Sequence, residues 1–249
     1  MHPLIAEFLD AAAVRSTLQK ADAGHSLNPR EMMFYRAAQA HPEHRALLAG
    51  STKSQEAQRA ALAISVFAAL DDLRKDEQLG PKALAGIHAL TAAGASAEEA
   101  EQQVAMVLFE EAFGYDTDPA HFDQSFVAES LGSLKSLARL DQQMVEELVE
   151  GFVQSAARQD KPMYQKVAEV LFEAAWSDGP ALVNAESVEE AIGFLREGGE
   201  KDVEPALKAM LALFKLLESK ELIGPERLDR LTDAARRAAL GGDEEEDDE

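Results

Sequence analysis

Two segments of the chain carry nearly the same helical pattern. Residues 104–113 read VAMVLFEEAF and residues 167–176 read VAEVLFEAAW, so seven of ten positions are identical. In each copy the apolar residues follow two neighbouring helical rows and leave only a narrow polar face. A helix of this kind is buried over most of its circumference. The chain is therefore expected to contain two central helices, each in a local core.

The similarity extends beyond these two helices. ESLGSL at 129–134 aligns with EAIGFL at 190–195, which places Gly132 opposite Gly193. Two matches in the same order indicate a duplicated three-helix unit, over about 96–159 and about 160–222. Because one such unit cannot cover its own apolar faces, neighbouring units are expected to share a core, as in helical repeat proteins.

The capping and turn residues of the sequence are also typical of a helical protein. Asn28 precedes Pro29, and Ser96 and Ser187 are each followed three residues later by Glu, the pattern of a capping box. No stretch alternates as a strand would, and Ala, Leu and Glu are abundant. We predict an all-α fold, a multi-helix bundle or a short α-solenoid. The predicted helices are 4–21, 29–40, 43–49, 54–78, 82–93, 97–113, 121–138, 142–158, 162–176, 187–197, 203–219 and 225–240.

Three parts of the chain are distinguished by this pattern. We predict an amino-terminal helical part over 1–93 and a duplicated part over 96–240, which includes a final helix after the second unit. Residues 241–249 read GGDEEEDDE. Like charges repel one another and bury no apolar surface, so this segment is expected to be a disordered acidic tail.

The charge of the chain restricts its partners. The formal net charge is −22, yet residues 1–60 carry seven Lys or Arg and six Asp or Glu. The negative charge therefore lies in the rest of the chain. A surface of this sign repels phosphate backbones and anionic lipids, so direct nucleic-acid and membrane binding are not expected. A protein partner, particularly a basic one, is compatible with it, and a homo-oligomer remains an open alternative.

The sequence has no cysteine, which excludes disulfides, thiolate catalysis and cysteine-ligated metals. The amino terminus lacks a basic region ahead of its apolar residues and is a poor secretory signal. The longest apolar run, 60–70, spans about 16 Å as a helix, roughly half of a bilayer core. We expect a cytoplasmic protein.

Candidate metal ligands are few. Four of the six histidines lie in the first 44 residues, and His41 and His44 have the spacing of a helical ligand pair. No third ligand accompanies them, and Pro42 places His41 at a helix start. The segment 115–123 is rich in Asp but lacks the glycine and glutamate of a calcium-binding loop. No nucleophile elbow or phosphate loop is present. We therefore predict no catalytic, cofactor-binding or metal-binding residues.

The loops that follow the two repeated helices are the best place for a binding surface. Aromatic residues gather there, and large amphipathic rings with an acidic rim are suited to anchor a protein partner. The predicted partner-binding residues are Tyr115, Phe122, Trp176 and Asp178. The favoured function is a non-enzymatic adaptor, regulator or inhibitor that presents an acidic helical surface. The alternatives are a metal-dependent or small-molecule enzyme near the histidine-rich amino-terminal part, and an inhibitor that mimics nucleic acid.

Overall fold

The protein is all-α, as the sequence predicts. A computed structural model of the chain describes residues 1–8, 10–48, 54–113, 121–176, 181–197 and 203–240, and these residues form helices without strands. The predicted acidic tail, 241–249, lies outside the described residues. The helices are α1 (Pro3–Glu7), α2 (Ala11–Asp22), α3 (Pro29–Ala40), α4 (Pro42–Leu48), α5 (Gln55–Leu73), α6 (Gly80–Ala92), α7 (Ala97–Phe113), α8 (Gln124–Leu137), α9 (Gln142–Ser155), α10 (Lys161–Trp176), α11 (Ala185–Glu197), α12 (Glu204–Ser219) and α13 (Pro225–Leu240).

Side-chain caps explain most of the helix starts. The Asn28 side chain accepts a hydrogen bond from the backbone N–H of Glu31 at 2.8 Å, and the Glu31 carboxylate accepts one from the Asn28 N–H at 2.7 Å. Ser96 and Glu99 form the predicted capping box of α7. The prediction that Ser187 caps α11 is wrong. Asn184 takes that role, because its side-chain oxygen accepts from the Ser187 N–H at 2.8 Å.

Two predicted helices are interrupted by an aspartate. The helix expected over 4–21 is divided into α1 and α2, since the Asp10 carboxylate caps α2 by accepting from the Ala12 N–H at 2.9 Å. The helix expected over 54–78 ends at Leu73. The Asp76 carboxylate then accepts from two backbone N–H groups, those of Gln78 and Leu79, each at 2.8 Å. Aspartate competes for backbone donors in this way, and so it favours turns over helix interiors.

The contacts divide the chain into two compact units. Unit 1 comprises Met1–Ile87 and Glu101–Val127, and unit 2 comprises His88–Ala100 and Ala128–Glu249. The division falls within α6, α7 and α8. The sequence-based partition into 1–93 and 96–240 remains a prediction about domains.

Helix α5 is the core of the amino-terminal part of unit 1. Its Ala and Leu-rich run is buried along most of its length, and it packs against α1, α2, α3 and α4. The run at 60–70 therefore serves as a core helix. Phe8 stacks on Phe34 with ring centroids 4.5 Å apart, and both rings are buried. None of the described helices is both long and apolar enough to cross a lipid bilayer.

Unit 2 is built around α10, α12 and α13. Helix α10 packs against α9, α11 and α12, and α13 packs against α11 and α12. The largest fully buried side chain is that of Arg227 in α13, at 0% exposure. Its guanidinium donates to the Val183 carbonyl at 2.7 Å and to the Ser130 hydroxyl at 3.1 Å. Burying a cation is costly, and hydrogen bonds from its donors reduce that cost. These two bonds join Arg227 of α13 to α8 and to the segment before α11.

The start of α13 is held by a carboxylate from α8. Both oxygens of Glu129 accept hydrogen bonds, from the backbone N–H groups of Glu226 and Arg227, each at 3.0 Å. This is the favourable position for a negative charge, at the amino end of a helix. Gly224 makes the approach possible, because a Cβ there would lie 2.1 Å from side-chain carbons of Glu129.

The order of helices agrees with a duplicated unit without establishing one. Helices α7, α8 and α9 are followed by α10, α11 and α12 at similar lengths. The Val and Ala that begin each repeated segment are buried in both copies. The contacts, however, place α10, α11 and α12 within unit 2 and divide the first copy between the two units. The duplication remains a prediction.

Candidate functional site

Two of the four predicted partner-binding residues lie within the described chain, and both are packed against neighbours. Phe122, in unit 1, meets the His2 ring edge-on with centroids 5.3 Å apart. Trp176, in unit 2, stacks on Phe172 at 4.2 Å and donates its indole N–H to the Ala181 carbonyl at 2.7 Å. Tyr115 and Asp178 lie outside the described residues. The binding role of all four remains a prediction.

The two repeated helices each pair their phenylalanine with an aromatic ring one turn later. The ring centroids of Phe109 and Phe113 lie 5.1 Å apart, and those of Phe172 and Trp176 lie 4.2 Å apart. Phe113 is 41% exposed and Phe194 is 47% exposed. They are the two exposed phenylalanines among the residues that the structure describes.

A polar cluster surrounds the amino terminus in unit 1. The Met1 ammonium lies 3.1 Å from a carboxylate oxygen of Glu111, a side chain with 1% exposure. The same oxygen of Glu111 accepts from the Asp123 N–H at 3.2 Å, and the Met1 ammonium also donates to the His121 carbonyl. The other Glu111 oxygen is buried and has no hydrogen-bond partner among the described residues.

His2 is a second buried polar group in this cluster. Its Nδ1 accepts from the Leu4 N–H at 3.3 Å, and its Nε2 lies 3.6 Å from Asp72. Burial lowers the pKa of His2, while the Asp72 carboxylate opposes part of that shift. The ring is therefore held neutral at neutral pH, where it caps α1. With Phe122 it borders a small cavity of about 200 Å³.

The histidine pair singled out in the sequence surrounds a glutamate. Glu43 lies 3.4 Å from His41 Nδ1 and 3.8 Å from His44 Nε2, and the His41 ring stacks on Phe67 at 3.8 Å. A hydrogen bond from its own backbone N–H lowers the pKa of Glu43, and the two histidines add to that effect. Within the described parts of the chain, no three His, Asp or Glu side chains are placed to hold a metal ion.

An open groove of about 580 Å³ lies in unit 2. Its lining comes from α9 and from the residues at the carboxyl-terminal ends of α8 and α12. Met144, Leu148 and Gly151 supply the α9 wall at the spacing of one helical face. We call this feature the α9 groove; its apolar lining residues are Leu140, Met144, Leu148, Leu216 and Leu222.

Charged side chains border the α9 groove. Its lining includes two cations and two carboxylates, from Arg139, Lys220, Glu147 and Glu221. Helix α9 contains no Lys or Arg, and its Glu146, Glu147 and Glu150 are all exposed. The α9 wall is thus acidic, whereas the two cations of the lining come from the ends of α8 and α12.

Two positions of the α9 groove depart from local sequence preference. Gly151 lies inside α9, where glycine costs about 1 kcal/mol relative to alanine, and nothing lies within 4 Å of where its Cβ would be. Glu221 adopts φ 58°, a left-handed conformation that glycine usually occupies after a helix. The Leu222 N–H then bonds to the Leu217 carbonyl at 3.0 Å. This left-handed residue and the bond that follows it are a common way for a helix to end.

The sequence did not reveal the α9 groove. Leu148 and Leu216 have the helical spacing of core residues, and nothing in their pattern shows that a space opens beside them. Gly151 lies inside a predicted helix, but so do Gly132 and Gly193, which do not line the groove. Comparison of the chain with protein-family models, with curated proteins and with solved structures finds no match.

Proposed function

We propose that the protein is a non-enzymatic interaction module that presents an acidic helical surface to a basic protein partner. The observation that carries this proposal is the exposed face of α9. Glu146, Glu147 and Glu150 are exposed within little more than one helical turn, and α9 has no cation of its own. Carboxylates held this close are stabilised when an opposing basic surface removes their mutual repulsion.

The net charge of −22 supports the same partner chemistry. A strongly negative field accelerates encounter with basic proteins and opposes encounter with acidic ones. The apolar lining of the α9 groove lies beside the acidic face, and interfaces combine such an apolar centre with a charged rim. In this proposal the carboxylates supply attraction and selectivity, and the groove supplies apolar area.

A pull-down with the full chain as bait tests the proposal. Basic proteins should be recovered from a native lysate at low salt, and recovery should decrease at high salt because mobile ions screen exposed charges. A variant with Glu147→Gln and Glu150→Gln should recover less. A matched variant, Glu169→Gln with Glu173→Gln, removes two exposed carboxylates of α10 and should recover nearly as much as the unmodified chain. Absence of any recovered partner at both salt concentrations would overturn the proposal.

A further inference from the structure

Helix α1 depends on its surroundings for stability. It has five residues, far fewer than an isolated helix needs to be stable in water. Its Leu4 and Ile5 are buried, and the helix packs against α5. Phe8, at its carboxyl end, adds the stacked contact with Phe34. The segment 1–8 is therefore held by contacts within unit 1, and each contact that is lost favours its release.

The His2 ring supplies one of these contacts through a single nitrogen. Its Nδ1 accepts a hydrogen bond from the Leu4 N–H at 3.3 Å and so caps the first turn of α1. A ring nitrogen accepts only through a free lone pair, so the imidazole must be neutral with its proton on Nε2. A protonated ring carries a hydrogen on both nitrogens, and its Nδ1–H would then point at the Leu4 N–H. Protonation of the ring in place excludes this cap.

The charges around His2 oppose its protonation on balance. The titratable and charged groups that face His2 or its direct neighbours are the Met1 ammonium, Glu7 of α1, Arg30 of α3, Asp72 of α5, Lys75 and Asp76 after α5, Glu111 of α7, and His121 and Asp123 before α8. Asp72 lies 3.6 Å from Nε2 and would attract a protonated ring, but its side chain is 47% exposed, and water weakens that attraction. His2 itself is only 6% exposed. Burial therefore outweighs Asp72 and lowers the pKa of His2 in the folded chain.

We propose that residues 1–8 form a pH-sensitive segment, in which uptake of a proton by His2 favours release of α1 from α5 while the rest of unit 1 remains folded. The open segment exposes the apolar side chains of α1 and leaves the Phe34 ring without the Phe8 ring. Short terminal elements open locally in this way, because they lie at the low end of the range of local stabilities. Helix α5 stays in place, since it also packs against α2, α3 and α4.

Proton linkage sets the size of the effect. In the open segment His2 is solvated and titrates at about pH 6.5, the ordinary value for histidine. Its pKa is lower in the closed segment, so acidification favours the open state. From about pH 7.5 to about pH 5.5, the protonated fraction of a solvated histidine rises from about one tenth to about nine tenths. The opening constant therefore increases by up to about tenfold, the limit for a closed ring that takes up no proton in this range.

Hydrogen exchange of the full chain, followed by mass spectrometry of its peptides, measures this opening. Exchange rates divided by the intrinsic rate at each pH give the protection of the α1 amides. That protection should decrease by about threefold to tenfold from about pH 7.5 to about pH 5.5. It should also be at least about tenfold lower than the protection of the α5 amides, and low urea concentrations should hardly change it, because a local opening exposes little surface.

Variants at position 2 separate the proton from the cap. His2→Asn keeps a side-chain oxygen that accepts at the start of α1 and does not titrate, so α1 protection should change by less than about twofold over the same pH range. His2→Ala removes the acceptor, and α1 protection should already be lower at about pH 7.5, with no further loss at about pH 5.5. His121→Gln is the matched control, because it removes an exposed histidine beside Phe122 and should behave as the unmodified chain does.

Three results would overturn this proposal. The first is α1 protection that stays within about twofold in the unmodified chain from about pH 7.5 to about pH 5.5. The second is a pH dependence that persists in His2→Asn or disappears in His121→Gln, since either would assign the proton to another group. The third is equal protection of α1 and α5 with the same urea dependence, which would show that segment 1–8 opens only when the whole unit unfolds.

Discussion

The buried Arg227 gives the sharpest test of the structure of unit 2. Replacement by methionine retains a long unbranched side chain but removes the guanidinium. The guanidinium donates hydrogen bonds to the Val183 carbonyl and the Ser130 hydroxyl. Val183 is 2% exposed and Ser130 is 0% exposed, so water does not replace the lost donors. Each buried acceptor left without its donor costs about 1–3 kcal/mol. Part of this cost is offset because the variant no longer buries a charge, and we expect Arg227→Met to lower the unfolding free energy by about 2–4 kcal/mol.

Urea denaturation followed by tryptophan fluorescence measures this change. Trp176 is the single tryptophan of the chain and belongs to unit 2, so its signal reports on the unit that contains Arg227. The matched control is Arg236→Met in the same helix. Arg236 has a side-chain exposure of 59% and lies 3.6 Å from Asp233. An exposed pair of this kind contributes about 0.5 kcal/mol.

The reasoning fails if the two arginine variants have the same unfolding free energy. That result would mean that the buried guanidinium contributes no more than an exposed one, and that its hydrogen bonds to Val183 and Ser130 are not part of the folded unit. A change in the slope of the urea dependence alone would point instead to an altered unfolded state.

Two further predictions concern pH and glycine. Because the pKa of His2 is lowered in the folded chain, the unfolded state binds the proton first, and the unfolding free energy should fall as pH decreases from about 7 towards about 5. His2→Asn keeps an acceptor for the cap and should flatten the pH dependence of the unfolding free energy, measured by circular dichroism. His25→Gln, at an exposed position, should leave that dependence unchanged. An unchanged pH dependence in His2→Asn would contradict the lowered pKa of His2. Gly151→Ala should raise the unfolding free energy by about 0.5–1 kcal/mol, and Gly224→Ala should lower it by about 1 kcal/mol or more because its Cβ would displace the capping carboxylate of α8. Shifts of the same sign for both glycine variants in urea denaturation would contradict this account.

Local signals predicted the fold class and many of the helix boundaries. The caps at Asn28 and Ser96 act within three residues, and their geometry is therefore readable from sequence. The errors have the same local origin. Asp10 and Asp76 lie in stretches with helical spacing, and each uses its carboxylate to bind backbone N–H groups at a helix start or turn. Helical spacing alone does not show whether an aspartate lies within a helix or binds backbone N–H groups at a helix start or turn.

Long-range contacts could not be predicted in this way. Arg227 lies in PERLDRL, where an arginine at the start of an amphipathic helix is ordinarily exposed; its burial depends on Val183 and on α8. The α9 groove is likewise formed by residues 136–151 and 216–222, segments with no periodic relation to each other. The ring chemistry of Phe122 and Trp176 is readable from the sequence, whereas their packing against His2 and Phe172 is seen only in the structure.

The open position at Gly151 offers a means of observing the groove directly. The chain contains no cysteine, so Gly151→Cys introduces a thiol that no other residue of the sequence duplicates. Since no atom lies within 4 Å of the ideal Cβ position, a sulfur atom is accommodated without displacing the helix. An environment-sensitive dye attached there would change its emission when the space beside α9 becomes filled, whichever molecule fills it.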